Sequence, residues 1–263
     1  MSLYITGMQE YEVASARQAS SFRAGWALFL DLDGTVLDIA ETPQGVEVPP
    51  DLVSILMRLS RGLGGALAVL SGRTIADIDR LLAPLALPAA GQHGAELRLA
   101  PDRSADRISC SERPREWHAR LAALARDHRG ILVEDKGIGI AVHYRNAPAA
   151  ERKVHKALEG LGVERASYAL KRGKCVDEIV PRGCDKGRAL RRLMAVPPFA
   201  GRVPIAIGDD ATDEDAFAAA LSLGGEALRV ASHSASAAFA DPRAVRDWLA
   251  ARAAALAGPE RRR

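Results

Sequence analysis

The stretch Phe29-Leu30-Asp31-Leu32-Asp33-Gly34-Thr35-Val36-Leu37-Asp38 decides the reading of this chain. It is entered by Trp26-Ala27-Leu28-Phe29-Leu30, a short apolar run without alternation, which is the pattern of a strand buried on both faces of a parallel sheet. Asp31 and Asp33 then fall at the carboxyl end of that strand, where open α/β sheets bind their ligands. Carboxylates in such a place are costly unless a cation or a reaction uses them. Gly34 permits a sharp turn, and Thr35 and Asp38 have side chains able to hydrogen-bond it.

Outward from this strand the alternation of strand and helix repeats. Pro49-Pro50-Asp51 opens a helix whose apolar positions Leu52, Val53, Leu56, Leu59 and Leu63 keep helical spacing, and Gly62, Gly64 and Gly65 end it. Residues 66–70 form a second apolar strand ending in Ser71-Gly72-Arg73. Thr74 then starts a helix with Asp77 three residues on, a weaker form of the capping box. Residues 87–96 read as a third strand followed by the turn Gly91-Gln92-His93-Gly94, an order that predicts right-handed crossovers and a parallel sheet. The pattern resumes after Pro181. Asp185 caps a helix carrying Lys186, and residues 203–207 form a buried strand ending in Gly208-Asp209-Asp210-Ala211-Thr212-Asp213-Glu214. A helix with Phe217, Ala220 and Leu221, a strand over 227–230 and a last helix opened by Asp241-Pro242 complete it.

Between 98 and 180 the grammar differs. A helix over 114–128 precedes strand-like runs at 131–136 and 138–145 about Gly137. A helix near 148–160 precedes a second pair, 167–171 and 174–180, joined at Arg172-Gly173. One helix and one hairpin, given twice, predicts an α+β unit with an antiparallel sheet. The expected organisation is a flexible leader over 1–22, a doubly wound, Rossmann-like α/β core from 23–97 and 181–263, and an inserted α+β unit over 98–180.

Composition excludes several classes. The chain has 263 residues, 48% hydrophobic and 26% charged, ordinary for a globular protein with a real core. Net charge is +3 with dispersed basic residues and no basic stripe interleaved with aromatics, so no nucleic-acid partner is expected; Arg261-Arg262-Arg263 reads as a solvated tail. Cys110, Cys175 and Cys184 have no CxxC spacing and read as reduced thiols, Cys175 and Cys184 as small core or linker residues. The first 25 residues lack the apolar segment of a signal peptide, and no stretch reaches the roughly 18 apolar residues of a membrane helix. A soluble, cytoplasmic protein is expected.

The DxDGT pattern at the end of a first strand resembles the haloacid-dehalogenase-like superfamily of phosphatases and phosphotransferases. GQHGAE at 91–96, HYR at 143–145, KCVDEIVPRGCDKGRAL at 174–190 and GDDATDEDAF at 208–217 together resemble the trehalose-6-phosphate phosphatases, over nearly the whole span from Trp26 to Trp248. The resemblance implies hydrolysis of trehalose 6-phosphate in trehalose biosynthesis, downstream of a trehalose-6-phosphate synthase with which no contact is implied. It also implies that the insert is a mobile cap gripping the sugar.

Phosphoryl transfer through an aspartate needs a nucleophile, a proton donor, a cation and donors for the transferred group. Asp31 is the expected nucleophile and Asp33 the acid and base, its main-chain carbonyl also meeting the metal as in the superfamily it resembles. The bland reading of both is a pair of turn-capping aspartates. Ser71 and the amide of Gly72 would hold phosphoryl oxygens, though a serine after a strand also serves as a turn former. Arg73 would serve the same pocket or pair with Asp77. Lys186 opposes the dipole of its own helix, so neutralising Asp31 and the phosphoryl group accounts for it better than stability does; otherwise it is a surface lysine beside Asp185. Asp209, Asp210, Asp213 and Glu214 would repel one another without a hard cation, and Mg²⁺ suits them. Asp209 is the expected direct ligand, with Asp210 and Asp213 behind it, while Asp213 and Glu214 also read as helix-start acids.

By the same resemblance, Gly91, His93 and Gly94 would lie by the sugar where core and cap meet, and Lys174 and Glu178 would come from the cap. These last two are four apart on the expected strand and share its face, which alternatively is a solvated face with an ion pair. Glu134 and Lys136 form a similar pair. The rival readings are a sucrose-phosphate or mannosyl-3-phosphoglycerate phosphatase, a phosphomannomutase, and a silent sugar-phosphate sensor. A sensor would have no use for the full acid set, and haloalkanoic-acid dehalogenation has none for Asp33 or a magnesium cluster.

Overall fold

The structure, a computed structural model, describes residues 25–108, 113–163, 167–231 and 237–257. The expected leader over 1–22, Cys110 and the C-terminal arginines lie outside the described residues.

The central strand β1 (Trp26–Leu30) is buried along its whole length. It lies between β10 (Val203–Gly208) and β2 (Leu67–Leu70), parallel to both, with Leu28 opposite Ile205 on one side and Leu67 on the other. β11 (Glu226–Arg229) and β3 (Ala89–Gly91) extend the parallel sheet on either side. Helices α1 (Leu52–Gly62) and α7 (Pro242–Ala257) pack together, as do α5 (Lys186–Met194) and α6 (Glu214–Ser222). Gly62 permits the first contact, since a Cβ there would come within 2.6 Å of Leu256. α2 (Ile75–Leu82) crosses from β2 to β3 and is capped by Thr74, whose hydroxyl accepts the Asp77 N–H.

The chain leaves β1 toward β2 but returns to the sheet at β10, on the other side of β1. The carboxyl ends of β1 and β10 therefore flank a topological switch point, the crevice in which such sheets bind ligands. The expected doubly wound core is present, with one difference at its edge. The sheet order is β11-β10-β1-β2-β3-β4-β5, and the last two strands, β4 (Glu96–Arg98) and β5 (Asp106–Arg107), run antiparallel. The third strand ends at Gly91, where the turn is expected, and Glu96 begins a further strand because Gln92-His93-Gly94 turns the chain back on itself.

The second sheet has the order β6-β7-β9-β8 and is antiparallel throughout. Its strands are β6 (Leu132–Asp135), β7 (Ile140–His143), β8 (Tyr168–Gly173) and β9 (Val176–Pro181). Helices α3 (Arg115–Asp127) and α4 (Glu151–Glu159) supply Trp117, Leu121, Val154 and Leu158 to a separate apolar cluster with Ile140, Val142 and Ile179. Strand alternation sends Glu134, His143, Val176 and Glu178 to the opposite face.

The second hairpin differs from expectation. Gly173 is the last residue of β8, and the turn is Lys174-Cys175, with Cys175 at φ +63. Lys174 therefore sits at a turn and not on a strand with Glu178. Arg172-Gly173 has turn-like composition, but Gly173 is held in the strand opposite Val176. Of the cysteines, Cys175 is half-buried and Cys184 buried, and neither is in a disulfide among the described residues.

Candidate active site

Asp31 follows β1 directly and is buried. Gly34 takes φ +81, and a Cβ on it would stand 2.3 Å from a carboxylate oxygen of Asp209. Glycine is thus what lets the loops after β1 and β10 approach each other. The Thr35 hydroxyl lies 3.4 Å from Asp31 Oδ2 and 3.3 Å from Asp209 Oδ1, and its single proton can serve one of them at a time. Asp38 does not bond the turn; its carboxylate pairs with Arg246 at 3.1 Å.

Lys186, in the first turn of α5, is 2% exposed, with Nζ 2.8 Å from Asp31 Oδ1 and 2.7 Å from Asp213 Oδ1. The other Asp213 oxygen accepts the main-chain N–H groups of Asp209 and Asp210, at 3.1 Å each. Both Asp213 oxygens are therefore engaged, and this side chain ties the lysine to the loop after β10. Asp210 accepts the Ala211 N–H, closing a reciprocal cap with Asp213 over the short 3-10 turn Ala211–Asp213. Glu214 opens α6 and pairs with Arg229, away from the acidic cluster, so helix start is its role here.

Charge in this cluster is unbalanced. Burial works against the charge of Lys186, but Asp213 and Asp31 outweigh it and hold the ammonium above its usual pKa. Burial pushes Asp31 well above the carboxylate range, Lys186 opposes this, and Asp213 and Asp209 add repulsion. Asp209 is pushed up to about 6 by burial, then by Asp213 and Asp210. Oxygens of Asp31, Asp209 and Asp213 lie within 4.8 Å of one another. With Asp213 engaged, Asp31 and Asp209 are the carboxylates free to meet a cation. A hard, oxygen-preferring divalent ion fits this donor set, because it would relieve the repulsion that raises both groups.

After β2, Ser71 is buried and its hydroxyl accepts the Arg73 N–H at 3.2 Å. The Arg73 side chain does not bond Asp77, which joins Thr74 and Arg80. It grips Asp33 with two bonds of 2.6 Å each and donates from Nη1 to the Pro43 carbonyl at 3.0 Å. This pairing was not legible in the sequence, since residues 33, 43 and 73 meet only in the folded chain.

The second sheet closes the other side of the pocket. Glu178 is held between Lys136 Nζ, at 2.5 Å, and His93 Nε2, whose Nδ1 has no hydrogen-bond partner. Burial would raise the Glu178 pKa, but Lys136 and His93 outweigh it and hold the carboxyl well below its usual range. Lys136 also donates to the Gly72 carbonyl at 2.8 Å. Glu134 pairs with His143 Nε2 at 3.0 Å, and both face the pocket together with Arg145 and Lys174. His143 and Arg145 belong to the HYR run but carry no assignment in the sequence reading. The strand period that placed Glu134 toward the pocket would also have found His143, its diagonal neighbour across the ladder. Gly91 and Gly94 line the turn and not the pocket. A Cβ on Gly91 would press on the Ile75 amide, and one on Gly94 on the Asp185 carbonyl.

This sheet order, with acids where β1 and β10 part, places the fold among the haloacid-dehalogenase-like phosphatases. The family model described as trehalose-phosphatase matches residues 29–242. Over 206 residues the chain is 44% identical to a probable trehalose-phosphate phosphatase of Sinorhizobium fredii (strain NBRC 101917 / NGR234), covering 78% of this chain and 77% of that one. It is 36% identical over 216 residues to the trehalose-6-phosphate phosphatase of Escherichia coli (strain K12), covering 82% and 81%. The C-terminal domain of C. albicans trehalose-6-phosphate phosphatase superposes with a TM-score of 0.76 over 86% of this chain and 91% of that one, at 21% identity, a likeness of fold. The chain belongs to the trehalose-phosphatase family, whose members are phosphoric monoester hydrolases. Among the described residues no helix is long and apolar enough to cross a membrane.

Proposed function

We propose that this chain hydrolyses trehalose 6-phosphate to trehalose and inorganic phosphate through an aspartyl-phosphate on Asp31. The observation that carries the chemistry is the Lys186 ammonium seated between Asp31 and Asp213 at the switch point of the sheet. The substrate is supported by the family and by the names of the relatives above.

In this reading an Asp31 oxygen attacks phosphorus as the bond to the sugar oxygen breaks. Lys186 balances charge on Asp31 and on the transferred group, and the Ser71 hydroxyl with the Gly72 N–H holds phosphoryl oxygens. Asp33 gives a proton to the departing sugar oxygen. It then takes one from the water that cleaves the acyl-phosphate, which returns Asp31 and releases phosphate. To do so Asp33 must leave Arg73 and turn toward Asp31. Asp31, Asp209 and the main-chain carbonyl of Asp33 would hold Mg²⁺, with Asp210 and Asp213 supporting the loop; bound there, the ion would neutralise phosphoryl charge.

The unit over 98–180 is proposed as the cap, with Glu134, Lys136, Lys174 and Glu178 facing the sugar and His93, beside Gly91 and Gly94, at the boundary. Hydroxyl groups suit such a wall of paired acids and bases, because each pair offers both an acceptor and a donor. The proposed setting is the cytoplasm, downstream of a reaction that forms trehalose 6-phosphate.

The test is phosphate release from trehalose 6-phosphate, sucrose 6-phosphate, mannosyl-3-phosphoglycerate and glucose 6-phosphate, with Mg²⁺ and with chelator. Preference for trehalose 6-phosphate, lost with chelator and in Asp31→Asn, is the expected result. Turnover of another ester alone would discard the substrate and keep the chemistry. An active Asp31→Asn would discard the aspartyl-phosphate.

A further inference from the structure

The turn between β3 and β4 carries a side chain that the chemistry above does not use. Gln92 is buried, with φ +47, and His93 beside it has φ +56. Left-handed backbone on a non-glycine residue is unfavourable and persists where the surroundings fix it. Main-chain bonds from Gln92 to the Arg73 carbonyl (2.8 Å) and from His93 to the Ser71 carbonyl (3.0 Å) fix one side. The Gln92 amide fixes the other. Its Nε2 donates to the Lys136 carbonyl at 2.9 Å, and its Oε1 accepts the Gly139 N–H at 3.2 Å.

Those two groups belong together for a different reason. Asp135 pairs with Ile140 across β6 and β7, so Lys136 and Gly139 are the next residues to face each other. In a tight hairpin such a pair exchanges two bonds. Here one is made, from the Lys136 N–H to the Gly139 carbonyl at 3.1 Å, while the Lys136 carbonyl takes the Ile138 N–H at 3.0 Å. The missing reciprocal bond is replaced by the Gln92 amide, which satisfies both of its ends. A side chain of the first sheet thus completes a rung of the second. Gly139 is needed for the close approach, since a Cβ there would stand 2.6 Å from the Ile179 carbonyl.

The carbonyl that Gln92 grips is that of Lys136, whose ammonium reaches Glu178 and the carbonyl of Gly72. We infer that Gln92 is a positioning residue that seats the β6–β7 turn on the core in one register and so places Lys136 and Glu178 on the sugar side of the pocket. Lys136 and Gly139 can pair with each other when the turn is undocked. Docking therefore exchanges hydrogen bonds nearly one for one, which suits a contact that must form and release. The assignment rests on the proposed function only for the choice of substrate.

The test uses Gln92→Met, which keeps the length and removes the amide, with Gln92→Glu as the second variant should the first fail to fold. Steady-state constants are measured on trehalose 6-phosphate and on p-nitrophenyl phosphate, a small ester that makes no sugar contacts, and Gly139 amide exchange is followed by NMR. The expected result is a KM for trehalose 6-phosphate raised about tenfold with kcat little changed, as befits one or two lost hydrogen bonds. Turnover of p-nitrophenyl phosphate stays at the wild-type level, and the Gly139 amide exchanges faster. Equal losses on both esters, or unchanged Gly139 exchange, would overturn the inference. If the wild type ignores trehalose 6-phosphate, the proposed substrate fails, while Gly139 exchange still decides the role of Gln92.

Discussion

Arg73 holds Asp33 by both carboxylate oxygens, Nε to Oδ2 and Nη2 to Oδ1, at 2.6 Å each. The same guanidinium donates to the Pro43 carbonyl, so one cation fixes the proposed acid and the loop after β1. A planar fork does this and a lysine cannot, because the ammonium is a point charge without paired donors. In the proposed reaction Asp33 has to leave this hold, so Arg73→Lys, which loosens it, should raise kcat severalfold with a smaller effect on KM. Steady-state kinetics on trehalose 6-phosphate check this, and an unchanged kcat would remove Arg73 from the positioning of Asp33.

Lys186 is the counter-charge of two buried carboxylates, so its removal should act on stability as well as on rate. Breaking a buried ion pair by deleting one partner costs about 3–5 kcal/mol, because the remaining charge stays buried and unpaired. Lys186→Met should lose that order of stability in a denaturant titration without added metal, and phosphate release should fall by about 10²–10³ or more. A variant of wild-type stability would mean that water reaches Asp31 and Asp213.

Asp209 carries the sign of the metal's pH dependence. Its pKa is pushed up to about 6 by burial and by Asp213 and Asp210, so below that pH a proton competes with the cation for the carboxylate. Apparent Mg²⁺ affinity should rise with pH through 6, and go on rising where Asp31, also held up by burial, gives up its proton. Calorimetric titrations between pH 5 and 8 measure this. Asp209→Asn should bind weakly across the range and lose the part of the rise near pH 6.

Much of this site could be read from the sequence because its acids sit at the ends of apolar runs. Once residues 26–30 and 203–207 are strands, Asp31 and Asp209 have to emerge at the same edge of a parallel sheet. Lys186 could be found because a lysine in the first turn of a helix works against the dipole. What could not be read depends on distant partners. The grip of Arg73 on Asp33, the shared Thr35 hydroxyl and the Gln92 rung join segments far apart in sequence, and none has a local pattern. The Lys174-Cys175 turn was missed for the opposite reason: Arg172-Gly173 has turn composition, but pairing opposite Val176 and Asp177 keeps it in β8. The antiparallel edge strands β4 and β5 are too short to show periodicity.

Glu178 ties the second sheet to the core through charge, and the pH dependence of that tie has a definite sign. Its folded pKa lies far below the ordinary value near 4.5 because Lys136 and His93 outweigh the effect of burial. A depressed carboxyl pKa contributes stability that is fully present above the unfolded value and is lost as pH falls toward the folded one. Glu178→Gln keeps the size of the side chain and removes the charge, so the stability gap between wild type and variant should be constant from pH 7 to about 5. Below that it should narrow steadily as the wild type loses its ionised carboxylate. Denaturant titrations of both proteins at several pH values between 3 and 7 give the gap directly. A gap independent of pH would show that packing of the Glu178 side chain, and not its charge, holds β9 against His93.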